Sequence, residues 1–195
     1  MLRSSLTMVP ARREPYQDKL GMYLFLAGLV LVFFTALLGY AVVRSVASGP
    51  SIRLVLPSDF VGATLALIAV SVALHLAVSN IRRERHRHFR RWLAAAVAAS
   101  ALFFVLQVTG MTSLLSAHHA TSPGEIRVFG FAFFLAGLHA VHVLGGFGLL
   151  GWVAVQGLRG VYDHERHWPV DICATYWHFL DGVWIVMLLT FWVVR

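Results

Sequence analysis

The chain has 195 residues, 58% of them hydrophobic and only 13% charged, with a formal net charge of +7. A soluble domain carries roughly a quarter charged residues, so charge this sparse, gathered into short runs between long apolar stretches, is the composition of a membrane protein. Five spans with short connections use up almost the whole length and leave no room for a soluble catalytic domain, and the single cysteine, Cys173, excludes an internal disulfide and a multi-cysteine metal or iron–sulfur site within the chain.

Residues 1–19 carry Arg3, Arg12, Arg13 and Lys19 without an apolar core long enough for a signal peptide. The run that follows is too long for a cleaved signal core and reads as a retained span. A crossing helix needs about 20 largely apolar residues, which places spans near Leu20–Val43, Phe60–Ser79, Trp92–Ser116, Val128–Gln156 and Ile172–Val194. The expected fold is all-α: a polytopic membrane bundle of five transmembrane helices, with 20–195 as the membrane domain. Ala-rich stretches such as Ala94–Ala99 are only mildly apolar, so the second and third spans are marked less sharply than the others.

Orientation follows from the placement of Arg and Lys. The amino-terminal segment has four, the second-to-third connection six (Arg82, Arg83, Arg85, Arg87, Arg90, Arg91) and the fourth-to-fifth two (Arg159, Arg166). Alternate segments hold only Arg44, Arg53, Arg127 and Arg195. The amino terminus and its 1–19 segment are therefore expected in the cytoplasm and the carboxyl terminus in the periplasm. The Arg82–Arg91 run, with His86 and His88, reads either as a patch for nucleic acid or anionic lipid, or as a topology anchor at the headgroups. The positive-inside rule favours the anchor, and no nucleic-acid partner is expected.

Polar groups inside a span are expensive, so each asks for a reason. His75, Gln107, His139, His142, Asp171, His178 and Asp181 are the candidates. His139 and His142 share a helix face. They could ligate a metal or haem, with His75 or His178 as partners, or serve structurally through hydrogen bonds across helix interfaces. Gly137, Gly145, Gly146, Gly148 and Gly151 point to close packing of the fourth span. Trp177, Asp181 and Trp184 fall at i, i+4 and i+7 on one face, with His178 beside them.

Tyr176-Trp177-His178-Phe179-Leu180-Asp181-Gly182-Val183-Trp184 resembles the carboxy-terminal signature of subunit III of haem-copper oxidases, the cytochrome c and quinol oxidases. Gly137-Leu138-His139-Ala140-Val141-His142-Val143-Leu144-Gly145-Gly146 resembles that family's Gly-x-His-x-x-His-Val-x-x-Gly stretch. Leu20-Gly21-Met22-Tyr23-Leu24-Phe25-Leu26, Leu56-Pro57 and Gln107 match in family order.

The resemblance implies a five-helix subunit III, lacking the two amino-terminal helices of the seven-helix form, in the inner (plasma) membrane. It implies an accessory subunit with no catalytic, cofactor or metal residues of its own. Haem and copper would reside in partners: the catalytic subunit I, subunit II and, as a further candidate, a small subunit IV. It also implies docking on subunit I, support of activity through turnover, a cleft with bound phospholipid, and nearness to a proton-uptake entrance. Gln107, His139, His142, Asp171, Tyr176, Trp177, His178, Asp181 and Trp184 then become a structural polar network. The two aspartates and three histidines are expected to bond between the fourth and fifth spans or to subunit I, while the first three spans supply topology and surface. Leu29 stands where the family usually has a glutamate, which removes a carboxylate role from the first span; Asp171 keeps the family's acid ahead of Tyr-Trp-His. The alternatives are a subunit III-like part of a nitric oxide reductase or quinol oxidase, and a self-contained membrane b-type cytochrome.

Overall fold

A computed structural model describes residues 15–46, 59–118 and 126–193. Every regular element among them is helical: α1 (Pro15–Val46), α2 (Asp59–Arg82), α3 (His86–His118), α4 (Ile126–Leu158) and α5 (Trp168–Val193). All five are long and apolar enough to cross a membrane. The shortest, α2, has 24 residues, or about 36 Å at ~1.5 Å per residue, against a hydrocarbon core of about 30 Å.

The helices outrun the apolar stretches that reveal them. α1 begins at Pro15, inside the segment read as a cytoplasmic tail, and α3 begins at His86, six residues before the apolar run. Apolar length measures the hydrocarbon, whereas a helix continues into the headgroup zone wherever its polar side chains meet water. The arginine-rich connection thus shrinks to a turn of Arg83, Glu84 and Arg85. Arg82 closes α2, while Arg87, Arg90 and Arg91 ride on the first turns of α3.

Two left-handed residues end helices on this side. Glu84 has φ 57°, with its N–H on Ile81 O (3.0 Å) and the Arg85 N–H on Asn80 O (3.0 Å). Gly160 has φ 75°, with its own N–H on Gly157 O and the Val161 N–H on Gln156 O, both 3.2 Å. Both are Schellman closures, which satisfy carbonyls the helix end would otherwise leave bare. The two turns touch through His164 Nδ1 and Glu84 Oε1 at 3.0 Å and through the Phe89 and Tyr162 rings at 6.4 Å. Burial pushes the Tyr162 phenol up to about 12, so it stays neutral.

In cross-section α2, α3, α4 and α5 form a closed ring of neighbours, and α1 lies outside it against α4 and α5. The α2–α3 hairpin is the most extensive interface. Gly62 faces Leu106 and Gly110 faces Phe60 across it, and small residues such as Ala63, Ala66, Ala73 and Ala96 are buried. Small side chains let helix backbones approach without hydrophobic driving force, so the Ala-rich spans are the ones that pair most closely. Of the five glycines noted on α4, Gly146 packs tightly, its Cβ position 3.2 Å from Tyr176 and Leu180, and Gly145 faces the Tyr176 hydroxyl. Gly137, Gly148 and Gly151 face open space.

Candidate functional site

Because α1 and α2 both flank α5 without touching each other among the described residues, a cleft opens between them with α5 as its floor. At the basic end it widens into a cavity of about 340 Å³, lined by Lys19 and Tyr23 from α1, His75 and Arg82 from α2, and Asp171 and His178 from α5. Farther along α1 and α5 lies a separate apolar groove, lined by Val30, Phe34 and Gly182 among others.

A ladder of polar contacts fastens the α2 wall to the floor. At the mouth, Arg82 donates to Asp171 Oδ1 at 3.0 Å, and His167 lies 3.4 Å from Oδ2 of the same carboxylate. Midway, the Ser71 hydroxyl donates to Asp181 Oδ2 and lies 2.8 Å from His178 Nδ1. A hydroxyl has one proton and two lone pairs, so with its proton on Asp181 it accepts from His178 Nδ1–H. At the far end Trp184 Nε1–H donates to Thr64 Oγ1 at 3.0 Å. These rungs descend in antiparallel register, and the middle one puts a carboxylate at the centre of α5. Asp181 Oδ1 has no partner among the described residues.

The polar groups expected to bond between the fourth and fifth spans or to subunit I divide between two neighbours of α5. Asp171 and Asp181 pair with α2, and so does His178. The reason lies in the ring: α5 turns its Asp171–His178–Asp181 side to α2 and a ring-bearing side to α4. On the α4 side, His142 Nδ1 donates to its own helix at Leu138 O (2.7 Å), and the His142 carbonyl accepts from the Tyr176 hydroxyl at 2.9 Å. His139 is fully buried and stacks on Trp184 at 5.2 Å, with neither ring nitrogen bonded among the described residues. Phe33 of α1 meets the His142 ring at 5.2 Å. Leu29, one turn earlier, is buried too, so no carboxylate reaches this face from α1.

Trp177, Asp181 and Trp184 are all buried, as their spacing predicts, whereas His178 faces the cleft. Gln107 stands apart, between α3 and α4. Among the described residues no group of three or more His, Cys, Asp or Glu gathers as metal ligands would. Sequence reasoning missed Ser71 and Thr64, hydroxyls too common in spans to stand out. It also read Arg82 and Lys19 only as topology charges. The Leu56-Pro57 match and residues 1–14 lie outside the described residues.

The sequence profile described as Cytochrome c oxidase subunit III matches residues 17–194. The chain belongs to this family. It is 31% identical to the Probable cytochrome c oxidase subunit 3 of Mycobacterium leprae, over 88% of this chain and 82% of that one. It is 27% identical to the Cytochrome c oxidase subunit 3 of Thermostichus vulcanus (94% and 90%) and to that of Synechocystis sp. (87% and 72%). Subunit III of a cytochrome c oxidase is part of a membrane-bound, oxygen-reducing complex with other subunits. With five spanning helices, this member of the family is a multi-pass membrane protein.

Proposed function

We propose that the chain is a non-redox accessory subunit that supports assembly, stability and proton uptake of the catalytic subunit I in a plasma-membrane cytochrome c oxidase. Haem and copper belong to subunits I and II, and a small subunit IV is a further partner. The observation that carries the reading is the α1–α2 cleft. Its mouth gathers Lys19, Arg82, His75 and Asp171, and its floor leads through His178 and Ser71 to Asp181 at mid-membrane.

Charged and titratable groups at a membrane surface attract protons and anions, and an intramembrane carboxylate bonded through Ser71 to His178, which lines that cavity, is suited to a proton relay. Along the same two helices, α1 and α5, the apolar groove offers room for an acyl chain, which favours a bound phospholipid with its phosphate near Lys19 and Arg82. The relatives' printed names favour cytochrome c as the electron donor.

The test is to purify the complex and strip this chain from it. Haem and copper content should stay with the remainder, while oxygen consumption decays faster during turnover and proton uptake slows. Loss of haem or copper in proportion to this chain would refute the non-redox reading.

A further inference from the structure

The middle rung of the cleft joins a cavity-facing base to a buried acid through one hydroxyl. Ser71 donates to Asp181 Oδ2 and accepts from His178 Nδ1–H at 2.8 Å. His178 lines the cavity at the basic end, which leaves its Nε2 to meet a proton there. Asp181 is only 8% exposed, and its second oxygen, Oδ1, has no partner among the described residues.

The same three groups have a second arrangement that keeps both hydrogen bonds. A proton from the cavity binds His178 Nε2 while Nδ1 passes its proton to Ser71 Oγ and Ser71 passes its own to Asp181 Oδ2. Asp181 then donates to Ser71, and Ser71 donates to Nδ1. The sum is one proton moved from the cavity to the carboxylate, with His178 left neutral as its other tautomer. Unloading runs through the same bonds in reverse.

Beyond Asp181 the bonds stop. The next rung is Trp184 Nε1–H on Thr64 at 3.0 Å, and the Thr64 hydroxyl donates in turn to Phe60 O at 2.7 Å. An indole N–H only donates and a backbone carbonyl only accepts, so that rung hands no proton on. Trp177 Nε1 and both ring nitrogens of His139 are buried and unbonded among the described residues. Of the other titratable groups on the packed helices, His142 bonds Leu138 O of its own helix, and α3 carries none from Leu93 to Ala117. Lys19, Tyr23, His75, Arg82 and Asp171 all line the cavity.

We propose that Asp181 is a one-proton store with a single door, loaded and unloaded through Ser71 and His178 from the cavity on the basic side. The inference rests on the relay reading above and names the kind of relay, a reservoir and not a conduit.

Infrared spectra of the full chain in vesicles of one orientation test it. A pH step on the basic side should raise and lower one carboxylic C=O band, which Asp181→Asn removes, and deuterium oxide on that side should shift it. The same steps on the opposite side should leave the band where it was. Heavy-carbon aspartate identifies the band in the wild-type chain should Asp181→Asn not fold. In His178→Phe and in Ser71→Ala, exchange into the band should slow by about tenfold or more, the scale of one lost relay bond. Ser71→Thr, which keeps the hydroxyl, should exchange as the wild type does. A band that answers from both sides reveals a conduit and overturns the store. A band that ignores pH, or exchange that neither variant slows, shows fixed structural bonds and overturns it as well. If stripping the chain from the complex leaves turnover and proton uptake unchanged while the band still answers from the basic side alone, the store stands and the accessory reading falls.

Discussion

Ser71 holds the centre of the site with a single hydroxyl, giving its proton to Asp181 and taking one from His178. Ser71→Ala therefore leaves two groups bare, at about 1–3 kcal/mol for each that is buried. Asp181→Asn keeps an acceptor oxygen for Ser71. Thermal unfolding of the detergent-purified chain, followed by tryptophan fluorescence, should place Ser71→Ala below Asp181→Asn, and the reverse order would contradict the bridge. At the surface, Asp163 Oδ1 accepts from the Arg166 N–H (2.7 Å) and the Glu165 N–H (2.9 Å). Chiefly the Arg166 bond holds its carboxyl below the usual range. A depressed folded value means that its contribution is fully present above the ordinary carboxylate pKa of about 3.9. The contribution is then lost as pH falls through the lower folded value. Amide exchange at Glu165 and Arg166 should accelerate over that acid window, and in Asp163→Ala it should be fast without that step.

Among the elements, α4 and α5 are fitted by shape and α2 and α5 by polar rungs. A side chain at Gly146 meets Tyr176, Leu180 and Trp177 at 3.2–3.4 Å, whereas one at Gly148 meets nothing within 4 Å. Gly146→Leu should cost about 1–3 kcal/mol by overpacking and part the Tyr176–His142 bond. Gly148→Ala should be neutral or slightly stabilising through helix propensity, and unfolding midpoints of the two variants check both. Gly160 sits at φ 75°, so Gly160→Ala should cost about 1 kcal/mol by the same measure, since a Cβ is strained there. The helices themselves were legible in the apolar runs, to within several residues. Which α4 glycines pack closely was not, because all five share small size and only their direction distinguishes them.

For the whole molecule, the ring of α2 to α5 with α1 outside it makes the cleft, and the cleft gathers charges far apart in sequence. Lys19→Ala combined with Arg82→Ala should reduce the anionic phospholipid that co-purifies with the complex, as read by lipid mass spectrometry. Retention of that lipid would count against the proposed headgroup site. The side of the membrane is set by charge: Arg87→Cys should label with an impermeant thiol reagent only from the cytoplasm, with native Cys173 buried and silent. By itself the sequence determined an all-helical, five-span membrane protein and, through its Tyr-Trp-His and paired-His motifs, the family. Apolar length and local motifs are properties of contiguous residues. Only the tertiary structure decided that Asp181 and His178 turn to Ser71 rather than to the α4 histidines, and that Arg82 closes on Asp171. It alone decided that Gln107 is buried between α3 and α4 without a hydrogen-bond partner among the described residues. Those outcomes depend on which helix stands beside which and on the rotation of each about its axis, and neither is written in the spacing along one strip of chain.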